Sequence, residues 1–229
     1  MTMILVLDTE TTGLGLEEGT ASILELALVR LPDMLPFESL VKPLHPTEIQ
    51  ALATHHITDD MLVDAPTLEE VYESSGIGAA THLVAHNSAF DSRFVRLDKP
   101  WVCTYRCARQ LWPDAPGHSN QVLRYWLDGL NAEIHSTHNG QSIMKLPPHR
   151  AMPDAWVTAH ILKRMLLERT IDELVDLTKA PILIQNCGFG KHRGVPWKDV
   201  PKDYLRWLIC QDFDADTIHT AKHHLGVVA

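Results

Sequence analysis

Cysteine is scarce in this chain, long apolar runs are missing, and the first third has almost no basic residues. Four cysteines in 229 residues (Cys103, Cys107, Cys187 and Cys210) are too few and too scattered for a disulfide scaffold, and their spacing is not that of a common zinc module. They read as reduced thiols of a cytoplasmic protein. No apolar stretch approaches the roughly 18 to 20 residues that a membrane-spanning helix needs. The opening Met-Thr-Met-Ile-Leu-Val-Leu carries neither a basic leader nor a cleavage site, so membrane and secreted readings are set aside. Residues 1–80 hold two basic residues, Arg30 and Lys42, against 14 acidic ones, whereas residues 81–229 hold 18 against 15. The formal charge of −9 argues at first against a phosphate-backbone partner, which Lys and Arg would bind. Its front-loading changes the argument. An acidic N-terminal part with a mildly basic remainder suits a metal site that then receives a polyanion, and it equally suits a plain acidic surface.

What is present is the composition of a folded protein, with 45% hydrophobic and 21% charged residues in 25.7 kDa, enough for one sizeable domain and a small appendage. Met3–Leu7 is a short continuous apolar run, expected as a strand covered on both faces. Ile23–Leu31 and Phe37–Pro43 read as a hairpin around a loop at 32–36, and Leu83–His86 as a fourth strand, with Trp101–Cys103 as a short further one. Helices are expected over Thr67–Ser75, with Thr67 and Glu70 in capping-box register, and over Ala89–Leu97 and Ser119–Leu127. Asp128–Pro148 reads as a loop. Arg150–Glu168 carries the strongest helical pattern, and Pro153, tolerated only in a first turn, sets its start near Ala151 or Met152. The texture changes after Lys179-Ala180-Pro181, which divides the chain into residues 1–180 and a small module at 181–229. That module contains a basic turn, Gly188–Gly194, which lacks the spacing and terminal Ser or Thr of a nucleotide-binding P-loop and reads either as a nucleic-acid grip or as a solvated hairpin turn.

Three stretches carry chemistry. Asp8-Thr9-Glu10 follows the first strand, and strand alternation sends both carboxylates to one side. Two such groups need a cation or a raised pKa, and hard oxygen ligands select Mg²⁺ or Mn²⁺. Thr11-Thr12-Gly13 then forms a tight turn that a substrate backbone could approach. His86-Asn87-Ser88-Ala89-Phe90-Asp91 spans the end of the fourth strand and the start of a helix, where Asn87 or Ser88 can cap and Asp91 lies in the first turn. His149 and Asp154 form the third stretch, with His149 in the loop ahead of the helix and suited by its near-neutral pKa to act as a general base.

In order and spacing, these stretches resemble the three motifs of the DEDDh branch of the DnaQ-like 3′ to 5′ exonucleases: Asp8–Gly13 the first, His86–Asp91 the second, and His149-Arg150-Ala151-Met152-Pro153-Asp154 the third. His56-Ile57-Thr58-Asp59-Asp60-Met61 is similar to the family's segment ahead of the second motif. Arg109–Pro113 and the tail residues Phe189–Gly194, Asp199, Pro201, Tyr204-Leu205 and Trp207-Leu208 resemble a bacterial exodeoxyribonuclease branch of the family. The resemblance implies an α/β, RNase H-like fold, a central mixed β-sheet flanked by helices, with the small C-terminal module added. It implies a site of two Mg²⁺ or Mn²⁺ ions held by Asp8, Glu10 and Asp154, with Asp91 supporting the second, and His149 deprotonating the attacking water. Thr11, Thr12, Asn87 and Phe90 carry over as substrate contacts, and Leu14 and Leu16, by position and apolar character, as a wedge against the terminal base.

The implied activity is release of nucleoside 5′-monophosphates from a single-stranded or free 3′ end. The tail favours DNA, with RNA as the alternative polymer. Many family members are homodimers, and no stretch here is diagnostic of that. Two other classes compete. A haloacid-dehalogenase-like phosphatase would place Asp at position 10, where this chain has Glu10, and a non-catalytic nucleic-acid-binding protein would not keep all five catalytic positions filled. A zinc site on Cys103 and Cys107 is the weakest alternative.

Overall fold

The computed structural model describes residues 2–15, 17, 19–135 and 149–227. Leu16 and the Met144–Pro148 stretch ahead of His149 lie outside the described residues. Five strands form one mixed sheet: β1 (Ile4–Thr11), β2 (Ile23–Leu31), β3 (Leu35–Leu40), β4 (His82–Ala85) and β5 (Trp101–Cys103), in the spatial order β3-β2-β1-β4-β5. The central strand β1 pairs antiparallel with β2 and parallel with β4. Its Leu5, Val6 and Leu7 are buried, as an apolar run covered on both faces should be.

The strand runs further than its apolar residues suggest. The ladder with β2 continues to the Thr11↔Ile23 pair, so Asp8 and Glu10 lie inside the strand, and a register shift between Glu10 and Thr11 marks a bulge at its end. The turn between β2 and β3 is also tighter than the loop expected at 32–36, because β3 already begins at Leu35.

In chain order the helices of this part are α1 (Ile49–His55), α2 (Leu68–Ser75), α3 (Ser88–Phe94), α4 (Thr104–Leu111), α5 (Asn120–Trp126), α6 (Leu130–His135), α7 (Ala151–Met165) and α8 (Ile171–Lys179). The Thr67–Glu70 capping box opens α2, and the Ser119 hydroxyl accepts from Val122 N–H at the start of α5. α3 starts differently from expectation. Asn87 occupies its N-cap position with φ 71° and makes no side-chain cap bond; Asn is among the few residues that accept a left-handed backbone. Within 128–148, expected as loop, Leu130–His135 forms α6, and 136–148 lie outside the described residues.

α7 begins at Ala151 with Pro153 in its first turn, and 12 of its 15 residues are buried, so it is a core helix rather than an amphipathic surface one. It packs on β1 and β2. The other face of the sheet, through Leu5, Leu7, Leu26 and Leu28, closes over Val71, Ile77 and Val95.

The chain divides into two compact units, Met1–Val175 and Asp176–Ala229, the division falling inside α8 and ahead of Pro181. The second unit has its own core of Cys187, Trp197, Val200, Leu205, Leu208 and Ala221, built around α9 (Lys202–Leu208) and α10 (Ala215–Leu225). Among the described residues no helix is long and apolar enough to cross a membrane.

Because Leu7 is fully buried in the strand that carries the site, Leu7→Ala should cost about 2–5 kcal/mol of the first unit's stability. Urea unfolding followed by far-UV circular dichroism measures this, and a loss below about 1 kcal/mol would contradict the central place given to β1.

Candidate active site

Asp8 and Glu10, two residues apart on β1, share a face, and Glu25 stands directly opposite Glu10 on β2. α7 covers that face and delivers Asp154 in its first turn. One carboxylate oxygen each from Asp8, Glu10 and Asp154 can lie within 4.8 Å of the others, and among the described residues this is the one His, Cys, Asp or Glu group arranged to hold a metal ion. Cys103 and Cys107 do not form such a group.

Asp91, buried on α3, stands outside that trio and accepts a hydrogen bond from Thr9 Oγ1 at 2.8 Å. His149 has φ 68°, and its backbone N–H donates to Asp154 Oδ2 at 3.0 Å. The His149 imidazole is exposed and makes no hydrogen bond to a described residue. Gln121 Nε2, on α5, reaches Asp154 Oδ1 at 3.5 Å.

The carboxylates crowd one another. Asp8 is held well above the usual range, first by burial and then by the charges of Asp91, Asp154, Glu10 and Glu25. Burial, Glu25 and Asp154 push Glu10 to about 8, against a partial pull downward by Arg150. Burial pushes Asp91 to about 7, with the Thr9 hydroxyl working the other way. Asp154 is also raised by burial, offset in part by the His149 N–H. All four favour protonation in the absence of a cation and would ionise around one.

Two residues that the sequence does not single out hold this arrangement. Glu25 is fully buried. It accepts from Arg150 Nε at 3.0 and 3.1 Å, pairs with Arg150 Nη2, and accepts from the Ala151 N–H at 2.9 Å. Glu25 therefore binds the residue before α7 and the first N–H of the helix itself, fixing the end of α7 that carries Asp154. A pattern reading takes Glu25 as a polar interruption of an apolar strand, and only the β1–β2 register shows that it faces the site.

A cleft of about 490 Å³ opens beside the acidic group, and Glu10, Thr11, Leu14 and Phe90 line it together with Gln50 and His55. Leu14 is largely exposed, while Phe90 is half-buried against Phe94 and lies under the Arg93 guanidinium at 5.2 Å. A Cβ on Gly13 would come within 2.3 Å of Glu48 Oε1, the end of an exposed side chain that can move aside.

Thr12 does not line the cleft. Its buried hydroxyl accepts from Ser22 N–H at 2.9 Å, and its carbonyl accepts from Glu48 N–H at 2.7 Å. The Thr11 hydroxyl likewise donates within the turn, to Gly13 O at 2.7 Å. Asn87 is exposed and not among the cleft residues, and Leu16 lies outside the described residues. His55 is an addition to the residues read from sequence. Its Nδ1 accepts from Ile57 N–H at 2.9 Å and burial lowers its pKa, so the neutral ring carries its proton on Nε2, beside the Thr11 backbone.

Two outcomes are expected. Arg150→Ala leaves Glu25 buried without its cation and should destabilise the first unit by about 3–5 kcal/mol, with Arg150→Lys recovering part of that, by urea unfolding. Glu10, raised from 4.5 to about 8, binds more protons folded than unfolded between those values. Metal-free protein should therefore lose stability as pH rises through that window. A melting temperature that rose from pH 5 to pH 8 under chelator would contradict the crowding, and added Mg²⁺ should stabilise most at the alkaline end.

Residues 5–162 match the family model RNase_T, described as Exonuclease. The chain is 34% identical over 231 residues to Exodeoxyribonuclease 10 of Escherichia coli K12, covering 97% of this chain and 99% of that protein. It is 32% identical over 175 residues to the PolC-type DNA polymerase III of Bacillus cereus, covering 70% of this chain and 11% of the polymerase. Among solved structures, Exonuclease X in complex with 5′-overhanging duplex DNA matches with a TM-score of 0.62 and 32% identity, over 76% of this chain and 99% of that one. The three motifs, the mixed sheet and these matches agree: the chain belongs to the DEDDh exonuclease family.

Proposed function

We propose that this protein is a cytoplasmic, metal-dependent 3′ to 5′ exodeoxyribonuclease that releases nucleoside 5′-monophosphates from single-stranded or free 3′ ends of DNA. The observation that carries the reading is the acidic trio within 4.8 Å, beside a cleft of about 490 Å³, in a size range that accepts a small organic ligand. The near full-length likeness to an exodeoxyribonuclease supports DNA as the polymer.

The donor set fits hard divalent cations, since it consists of carboxylate oxygens whose raised pKa values a cation would relieve. Asp8, Glu10 and Asp154 would hold two Mg²⁺ or Mn²⁺ ions, with Asp91 supporting the second. Bound there, such a pair stabilises charge on the attacking and leaving oxygens of an in-line displacement at phosphorus.

The chain's own residues do the rest. Thr9 fixes the Asp91 carboxylate through its hydroxyl. His149 takes a proton from the attacking water on a ring nitrogen, while its backbone N–H stays on Asp154, so base and ligand share one anchor. Leu14 and Phe90 receive the terminal base in the cleft, with Leu16 two residues beyond Leu14 in sequence. Asn87 and the Thr11 part of the cleft wall meet the terminal nucleotide's polar edge, and Thr12 contributes by holding the turn.

The test is a time course on one sequence made as 5′-labelled DNA and as RNA, with Mg²⁺, with Mn²⁺, with chelator, and with Asp154→Ala. A metal-dependent ladder shortening from the 3′ end, faster on DNA than on RNA and abolished by Asp154→Ala, is the expected result. His149→Gln should lower kcat by about 10²–10⁴-fold while calorimetric Mn²⁺ binding persists. No shortening of either polymer by folded protein would overturn the reading and leave a nucleic-acid-binding module as the better account.

A further inference from the structure

The acidic excess belongs to the first unit. Residues 1–175 hold 23 acidic and 13 basic residues, whereas residues 176–229 hold 6 and 7. Within the second unit, aromatic rings form a continuous series from core to surface. Buried Trp197 meets Phe189 at 6.3 Å, and Phe189 stacks on Phe213 at 4.7 Å and 15°. Phe213 meets Trp207 at 6.3 Å, Trp207 meets Tyr204 at 5.2 Å, and Tyr204 meets the His192 ring at 4.7 Å.

The series surfaces at Trp207, which is 49% exposed although the unit's core is served by Leu205 and Leu208 of the same helix. Gly190, with φ 61°, makes the surface end. A Cβ there would come within 3.0 Å of Tyr204 Oη, so glycine lets the basic turn pass close over the ring. The turn sets the Lys191 ammonium 5.4 Å from the Tyr204 ring centroid. Arg193 is exposed in the same turn, with its Nε bound to Gly188 O at 3.0 Å. The nearby Asp203 carboxylate is paired to Arg206 at 2.8 Å.

We infer that the face formed by Trp207, Tyr204, Lys191 and Arg193 binds single-stranded nucleic acid, with an unpaired base stacking on Trp207 and a flanking phosphate held by Lys191 and Arg193. An exposed indole next to fixed cations is the combination that single-strand binders use, since every base offers a ring face and every linkage a negative charge. The charge argues for this occupant over an apolar peptide. Cations beside an apolar docking face would have to be desolvated without compensation, whereas a phosphate backbone neutralises them. The inference rests on the exonuclease reading only for the identity of the strand, which is DNA. The second unit thus acts as a separate holding site for the body of the polymer.

The test measures binding of a fluorescent single-stranded 20-mer and of a blunt duplex of the same sequence to the full chain under chelator, where no hydrolysis interferes. Trp207→Ala should raise Kd for the single strand by about fivefold or more, with Trp207→Phe restoring most of the affinity, and should change duplex binding far less. Lys191→Gln, an exposed substitution that cannot disturb the core, should lower the salt slope of single-strand binding by about 0.7. Single-strand affinity unchanged within twofold in Trp207→Ala, or a Trp207→Ala loss that Trp207→Phe does not restore, overturns the platform. Failure of the exonuclease reading shows elsewhere, as absence of 3′ shortening with metal, whatever these affinities are.

Discussion

The carboxylates of Asp8, Glu10, Glu25, Asp91 and Asp154 converge where β1, β2, α3 and α7 meet, and the fold has to accommodate that much buried negative charge in one place. It does so in two ways. Glu25 is neutralised permanently, by a guanidinium and a helix N–H. Among the described residues, the other four have no cationic side chain bound to them by hydrogen bonds, and their pKa values are raised. The distinction separates a structural carboxylate from four that remain responsive to an added cation. An apolar residue at position 25 would pack as well, but it would strand Arg150 beside the sheet and leave the first N–H of α7 without its acceptor.

That pairing explains why the site is assembled from distant parts of the chain. A strand alone can place two carboxylates on one face at a fixed separation, but not a third. The third arrives on α7, whose position along the sheet is set at its N-terminus by Glu25 and in its middle by burial of nearly every side chain. Backbone geometry finishes the site at both ends. The bulge between Glu10 and Thr11 breaks the β1–β2 register just before the ladder ends, and Thr11, Gly13 and Leu14 wall the cleft there. The left-handed backbone at His149 accompanies an N–H that meets Asp154.

Much of this is legible without coordinates, and the boundary of legibility has physical causes. Local signals read well: the Thr67–Glu70 capping box, the Ser119 cap and the Pro153 start of α7 are each decided within one turn of chain. Spacing alone places Asp8 and Glu10 on one face. What sequence does not reveal is cross-strand. Glu25 looks like a solvated residue of β2 until the register sets it opposite Glu10, and His55 looks like one of 14 histidines until the cleft closes around it. The hydroxyls of Thr11 and Thr12 show the converse. Their residue type suggests ligand contacts, yet the turn consumes both, because a buried turn must satisfy its own backbone groups first.

The sign of the first unit's charge bears on why such an enzyme would work from ends. A polyanion approaching 23 acidic residues against 13 basic ones gains nothing from the long-range field, which physiological salt in any case confines to about 8 Å. Affinity there must come from contact, which the acidic group, arranged to hold a cation, and the wall of Leu14 and Phe90 can supply. An internal nucleotide is stacked on both sides and tied at both ends, so turning its base onto that wall requires unstacking two neighbours and bending the backbone twice. A terminal nucleotide gives up one neighbour and bends once. A repulsive surround with an apolar wall beside the acidic group therefore favours the end over the middle of a strand. Residues 176–229, with their balanced charge and exposed Trp207, do not oppose a polyanion in this way.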